Sequence, residues 1–154
     1  MTPTRKKVLI AWACFAVIAA FAQSRGWLRP VEQKGVLLYL THTARSMNQD
    51  LPKSAGDGVQ LDLVDAGVDG DHLFLRQSFT LLEIPMAQAN VNDIRQSIFP
   101  GLRDAYCKSP AAKSNPFFTL VYVYDYFTSD RQRVTEFQFK PSDCADAAPS
   151  AAGS

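Results

Sequence analysis

The first 22 residues constrain this chain most, because they have the layout of a segment that delivers the rest of the polypeptide across a membrane. A basic start at residues 5–7 precedes 15 uninterrupted apolar residues, 8–22. Residues 20–22 supply the small-x-small pattern of a signal-peptidase site, which predicts cleavage before Gln23. Residues 1–22 are therefore predicted to be a secretory signal peptide and not part of the folded domain.

The same segment also fits an uncleaved anchor in the inner membrane through residues 8–22. A spanning helix needs about 20 apolar residues, and extension of the run to Leu28 would place Gln23, Ser24 and Arg25 inside the span. Both alternatives leave the basic residues in the cytoplasm and the domain on the far side of the inner membrane. The predicted location is periplasmic or secreted, or membrane-anchored with the domain in the periplasm.

The charge balance excludes some partners. The 154 residues carry a net charge of +1, and without residues 1–22 they hold 13 basic and 15 acidic side chains. A mildly acidic domain gives no electrostatic basis for binding nucleic acid. The length predicts a single domain, which we place at residues 30–144. The small, polar residues 145–154 are predicted to be a disordered tail.

Three cysteines divide into one in the export segment and one pair downstream. Cys14 lies in the apolar run, which leaves Cys107 and Cys144 as an even pair in an oxidising compartment. No Cys-x-x-Cys motif or zinc-ligand spacing is present. The sequence therefore predicts a structural disulfide between Cys107 and Cys144, and the chain-entropy model gives its loop closure a stabilisation of about 4 kcal/mol.

Hydrophobic periodicity predicts helix, two strands, helix, two strands. Apolar residues at three- and four-residue steps indicate helices, and alternation indicates strands. The predicted helices cover residues 30–50 and 90–106, and the predicted strands cover 59–66, 72–84, 117–127 and 134–139. Two antiparallel hairpins most simply join into one sheet. The predicted fold is an α+β two-layer sandwich, with a four-stranded antiparallel sheet and two helices on one face.

Three features of the second half of the chain occur together. Leu102-Arg103 is followed by Cys107, strand 120–126 is rich in tyrosine, and segment 137–144 ends in Asp143-Cys144. This combination resembles a group of short exported bacterial proteins that end in a helix with a cysteine, a hairpin and an Asp-Cys pair. The resemblance implies export and the disulfide, but it implies no activity and no functional residue.

The tyrosine-rich strand offers a candidate partner surface. Tyr122, Tyr124 and Tyr126 alternate, so they share one face of the sheet, while valines occupy the other. If the valine face meets the helices, the tyrosines and Arg76 form an exposed amphipathic contact surface. The alternatives are that the aromatic pairs stabilise the sheet, or that the tyrosine face is the buried one.

The sequence shows no catalytic constellation, no metal site and no cofactor motif. It lacks a Gly-x-Ser-x-Gly elbow, and His42 and His72 are its only histidines. Glu83 and Glu136 lie on predicted strands, where outward carboxylates are typical of a solvated sheet face. We therefore expect a protein that is not an enzyme.

Three functions remain open. The first is an envelope binding or accessory protein that recognises another envelope protein, as a secretion-system accessory, an inhibitor or an immunity protein would. The second is a small envelope hydrolase without a recognised motif. The third is a carrier of lipid or cell-wall fragments, which would require an apolar cavity of several hundred cubic ångströms.

Overall fold

A computed structural model describes residues 29–147, in which two helices pack on a five-stranded mixed sheet. The helices are α1 (Arg29–Asn48) and α2 (Val91–Lys108), and the strands are β1 (Lys53–Gly56), β2 (Val59–Asp69), β3 (His72–Leu81), β4 (Thr119–Thr128) and β5 (Arg133–Phe139). Short 3₁₀ helices cover Met86–Gln88, Pro110–Ala112 and Pro141–Ala147. Within residues 29–147, no helix combines the length and the apolar character needed to cross a membrane.

Two predicted segments fall largely outside this part of the chain. The predicted signal peptide or anchor, residues 1–22, lies outside the described residues. The predicted tail begins at residue 145, which lies inside the last 3₁₀ helix, and the rest of the tail from residue 148 is also outside.

The sheet order is β1-β2-β3-β4-β5, and two details differ from the prediction. The first is an additional edge strand, β1, in a segment predicted to be a loop. All four of its residues are exposed, so the apolar alternation that marks a half-buried strand is absent from it. Backbone pairing with β2 alone forms this strand.

The second difference is that β3 and β4 run parallel, not antiparallel. The segment between them, residues 82–118, contains α2 and returns the chain to the end of the sheet where β3 starts. A connection of this length with a helix is what parallel neighbours require. The two predicted hairpins are confirmed as antiparallel pairs, β2 with β3 and β4 with β5, but the prediction that they join in an antiparallel manner was wrong.

Both helices lie on one face of the sheet, as predicted. Ala44 of α1 packs with Val64 and Leu75. The apolar stripe of α2 packs on a larger aromatic cluster that contains Phe137 and Phe139. The strand registers place all of these sheet residues on the same face as the tyrosines of β4, so this face carries the core.

Helix α2 is capped at its start and is joined at its end to the last segment of the domain. At its start the Asn90 side chain accepts hydrogen bonds from the backbone N–H groups of Asn92 and Asp93, which satisfies donors that have no partner within the helix. Near its end Cys107 forms the predicted disulfide with Cys144, with the two Cα atoms 5.6 Å apart. The Arg103 guanidinium donates two further hydrogen bonds to the Asp143 carbonyl oxygen, at 2.8 and 3.1 Å.

Candidate functional site

Helix α1 carries more apolar surface than the core uses. Leu40 and Ala44 are buried against the sheet, but Val31, Leu38 and Tyr39 are 67%, 72% and 70% exposed. With 3.6 residues per turn, positions 31 and 38 project nearly together, and position 39 lies between them and the buried side of the helix. The apolar surface therefore continues from the outer side of α1, through Tyr39, towards the sheet.

An open groove lies where this surface reaches the sheet. It has a volume of about 390 Å³ and lies between α1 and the segment that leads from α2 into β4. Its lining residues are Val36, Tyr39, Leu40, Pro110, Ala111, Lys113, Ser114, Asn115, Phe118, Leu120 and Tyr122. We call it the α1–β4 groove. Apolar and aromatic side chains dominate it, as in most sites for small molecules and for apolar peptide segments.

Tyr122 is the only one of the three predicted tyrosines that lines this groove. It is half-buried, and its ring packs edge-on against Tyr106 of α2 at 5.4 Å between centroids. Burial, with a smaller contribution from the neighbouring Tyr39, raises the pKa of the Tyr122 phenol. The Tyr106 hydroxyl shares its one proton between the carbonyl oxygens of Leu120 and Ala111, at 3.1 and 3.3 Å, so packing and a bifurcated hydrogen bond fix this side of the groove.

A second, polar pocket adjoins the groove. It measures about 340 Å³ and is lined by His72, Ser114, Asn115, Phe118, Thr119, Lys140, Pro141 and Ser142. Three of these residues, Ser114, Asn115 and Phe118, also line the α1–β4 groove. These three residues therefore line both an apolar compartment and a polar one.

The predicted tyrosine surface is not an exposed face. Tyr124 and Tyr126 are only 7% and 5% exposed and belong to the aromatic core under the helices. Phe79 stacks on Tyr126 at 5.1 Å between centroids, and burial raises the pKa of Tyr124 to about 12. Of the alternatives that the sequence left open, the structure has the one in which the tyrosine face is buried, because the aromatic side chains offer the larger apolar area and the helices cover that area.

Arg76 lies on the opposite face, away from the tyrosines. Its Nε atom is 3.3 Å from the Asp125 carboxylate as an ion pair without hydrogen-bond geometry, and its guanidinium lies over the Phe74 ring. Arg133 donates to the same carboxylate, which is 4% exposed, and also pairs with Glu136. Burial raises the pKa of Glu136, but the Gln138 hydrogen bond and the charges of Arg133 and Arg76 outweigh it, so the pKa is lowered. On this face, which the helices leave open, the positive charges of two arginines are thus balanced by the negative charges of two carboxylates.

The remaining candidates do not converge on a catalytic arrangement. His42 is exposed on α1, and Glu83 is exposed in the turn after β3 and not on a strand as predicted. His72, the first residue of β3, pairs with Asp71 at 2.7 Å. Within residues 29–147, no group of three or more histidine, cysteine or acidic side chains is placed to hold a metal ion.

Sequence reasoning missed the α1–β4 groove because it followed only the buried stripe of α1. Val31, Leu38 and Tyr39 lie off that stripe. Apolar residues at these positions were the available signal, since a helix that packs on a sheet with one face is normally polar on the other. Phe118 offered no such signal, because its place in the lining of the groove depends on how the chain enters β4.

Comparison with known proteins finds a shared fold. The chain matches no protein family and no curated protein. Among solved structures it is similar to EpsS, a pilotin of the Vibrio vulnificus type 2 secretion system, with a TM-score of 0.54 and 11% identity over 72% of this chain and 93% of that one. A protein of Pseudomonas aeruginosa described as secreted gives a TM-score of 0.48 and 15% identity, over 71% of this chain and 93% of that one. At such low identity the likeness to the pilotin concerns the fold.

Proposed function

We propose that this protein is an exported accessory protein of the bacterial envelope, without enzymatic activity, that binds an apolar segment of another envelope protein in the α1–β4 groove. The observation that carries the proposal is the continuous apolar surface from the exposed side of α1 through Tyr39 into the groove. A soluble domain that exposes apolar surface next to a concave site commonly uses it for recognition.

Export is supported by the basic and apolar start of the sequence and by the disulfide between Cys107 and Cys144. Disulfides persist in oxidising compartments and are rare in the cytoplasm. The chain shares its fold with a pilotin of a type 2 secretion system. This likeness favours a secretion-system accessory protein over an inhibitor or an immunity protein.

The mode of binding follows from the shape of the groove. One wall is a helix and the other is the chain that enters the interior strand β4, so an extended or helical segment can lie between them. The groove opens on α1 where Tyr39 is exposed, and a bound segment would cover this side chain. Recognition would then depend on a few apolar anchors, as is usual for protein interfaces.

The test is affinity capture of the tagged protein from its own cells after chemical crosslinking. Tyr39→Asp places a charge at the mouth of the groove and is expected to abolish recovery of the partner. The matched control is Leu63→Asp, which places the same charge at a half-exposed position on the open face of the sheet and is expected to leave recovery unchanged. Equal recovery with both variants, or no specific partner at all, would contradict the proposal.

The volume and lining of the groove also favour a second candidate, a carrier of a small apolar ligand. About 390 Å³ lies at the lower end of the range for small-molecule sites. Native mass spectrometry of protein purified from the envelope separates the two functions, because a carrier would retain a lipid or wall fragment and an accessory protein would be recovered without one.

A further inference from the structure

The chain enters the described domain close to one end of the α1–β4 groove. The Gln33 side chain donates a hydrogen bond to the Phe117 carbonyl oxygen at 3.5 Å, so the second turn of α1 is joined there to the segment that enters β4. Val36, three residues further along α1, and Phe118, the next residue of the other wall, are half-buried and line the groove. The residues that precede Arg29 therefore begin beside this end of the groove.

Pro30 influences the direction in which the preceding chain leaves α1. It is the second residue of the helix. A proline ring clashes with the carbonyl group four residues earlier, and the residue before a proline is biased towards extended conformations. A straight helical continuation through residues 23–28 is therefore not expected, and Pro30 favours a change of direction at the start of α1.

Of the chain outside residues 29–147, one segment combines an apolar anchor with a position outside the membrane. Residues 8–22 are the predicted export segment, which is removed or lies in the bilayer. Residues 148–154 are alanine, proline, serine and glycine, without a large apolar side chain. Residues 23–28 hold Trp27 and Leu28 next to the start of α1. This segment is therefore the part of the chain that is suited to the groove.

The distances allow Trp27 to reach the groove. Two residues of extended chain span at most about 7 Å, which limits the separation of the Trp27 and Arg29 Cα atoms. Val36 lies about 10 Å from Arg29 along the axis of α1. If the chain turns back along α1, the length of the indole side chain covers the remaining distance. The groove volume of about 390 Å³ exceeds that of one indole ring.

We infer that residues 23–28 turn back along α1 and that the Trp27 ring occupies the α1–β4 groove of the free protein, against Val36 and Phe118. Burial of an aromatic side chain removes about 150–250 Å² of surface from water, and the apolar part of this area stabilises the bound position. Tyr39 is 70% exposed at the mouth of the groove, where a partner makes its first contact. The partner's apolar segment then displaces Trp27, a step that rests on the proposed function.

An internal occupant makes the groove more selective. The apparent affinity for a partner falls by the fraction of molecules in which the groove is open. A segment with weak apolar anchors is then rejected, whereas a segment that fills the groove better than Trp27 is bound. The occupant also covers apolar surface that would otherwise face water until the partner arrives.

The experiment uses the protein purified from the envelope of its own cells, with the substitution Trp12→Phe. Trp27 is then the only tryptophan, whether or not residues 1–22 are removed. Its fluorescence emission should be shifted to shorter wavelength than in urea, and quenching by acrylamide should be several-fold weaker than in urea. Emission and quenching like those of the unfolded chain would overturn the inference.

Two variants of α1 locate the indole ring. Val36→Asp places a charge in the lining of the groove and should make Trp27 as easily quenched as in urea, while circular dichroism shows that the domain remains folded. Leu38→Asp is the matched control on the outer side of the same helix, where Leu38 is 72% exposed, and should leave quenching unchanged. The reverse pattern would place Trp27 on the outer side of α1 and overturn the inference.

A measurement without a groove variant covers the case in which Val36→Asp does not fold. Nuclear Overhauser contacts are expected between the indole protons of Trp27 and the methyl groups of Val36. Their absence would overturn the inference. Quenching of Trp27 by brominated phospholipids in vesicles would also overturn it, because the ring would then lie in the bilayer.

Displacement is tested by crosslinking and affinity capture from cells. Trp27→Ala removes the internal competitor and should increase recovery of the partner over that of the wild-type protein. Unchanged or lower recovery would overturn the displacement step. If Trp27 is exposed but Tyr39→Asp still abolishes recovery, this inference fails and the proposed function stands. If Trp27 is buried against Val36 and no partner is recovered with any variant, the packing of Trp27 stands and the proposed function fails.

Discussion

The two helices lie on the same face of the sheet, but they are attached to it in different ways. Helix α2 buries a regular apolar stripe, is capped by Asn90, and is joined to the end of the domain by the Cys107–Cys144 disulfide. Helix α1 buries Leu40 and Ala44 but leaves Val31, Leu38 and Tyr39 exposed. Apolar side chains that the core does not require are the part of a domain most open to use in recognition. The difference supports the proposal that α1 takes part in binding, whereas the contacts of α2 contribute to the stability of the domain.

Alkaline pH is expected to have the largest effect, and it acts on the core beneath α2. Burial raises the pKa of Tyr106, Tyr122, Tyr124 and Tyr126, that of Tyr124 to about 12. In the unfolded chain these phenols titrate near pH 10. The folded state favours the neutral phenol, so this stabilisation is complete below about pH 10 and is lost as pH rises towards 12. Unfolding, followed by circular dichroism, and ionisation of the tyrosines, followed by phenolate absorbance, should occur over the same pH range. Tyr124→Phe should reduce the loss, and full stability at pH 12 would contradict the expectation.

Truncation of a buried aromatic on α2 should cost much more than the same truncation on α1. Tyr106 is 1% exposed, whereas Tyr39 is 70% exposed. Tyr106→Ala removes core packing and one bifurcated hydrogen bond and should lower the free energy of unfolding by about 3–5 kcal/mol. Tyr39→Ala should change it by less than about 0.5 kcal/mol. Urea unfolding of both variants measures the difference, and similar costs would show that the two helices do not differ as described.

Removal of the disulfide should have the next largest effect. Cys107→Ser combined with Cys144→Ser should lower the free energy of unfolding by about 2–4 kcal/mol, because the unfolded chain gains conformational freedom. The hydrogen bonds from Arg103 to the Asp143 carbonyl remain, so the folded structure should persist at low temperature. Thermal unfolding of the oxidised wild-type protein and the variant measures the change. An unaltered melting temperature would show that the bond does not stabilise this region.

The attachment of α1 can be weakened at its C-terminal end with a smaller effect. The Asn48 side chain accepts a hydrogen bond from the Val64 N–H and donates one to the Val64 carbonyl, both at 2.8 Å. Asn48→Ala should cost about 1–2 kcal/mol, because two partly buried backbone groups of β2 lose their partner. Hydrogen exchange should show faster exchange of the Val64 amide, with little change in β4 and β5. A uniform change across the sheet would mean that α1 and the sheet unfold only as one unit.

The sequence was sufficient for the parts of the fold that depend on local pattern. The stripe of α2, the two hairpins and the disulfide all follow from residue spacing or cysteine count. The parallel pairing of β3 with β4 could not be predicted, because hydrophobic alternation is the same in parallel and antiparallel pairs. The edge strand β1 has no buried residue to mark it.

The site was harder to predict because it depends on which face of β4 the helices cover. Alternation places Tyr122, Tyr124 and Tyr126 on one face but does not say whether that face is buried. On the covered face, Tyr124 and Tyr126 became core and Tyr122 became part of the groove. Arg76 was assigned to the same surface because it alternates with apolar residues, and the register with β4 places it on the opposite face beside Asp125.

Photo-crosslinking in living cells tests most directly the claim that α1 and β4 form the binding surface. A photoreactive amino acid is placed at position 39, at the mouth of the groove, or at position 63, on the open face of the sheet. We predict a discrete crosslinked partner from position 39 and none from position 63. Crosslinking from position 63 alone, or from neither position while the protein is correctly exported, would contradict the assignment of the groove as the functional site.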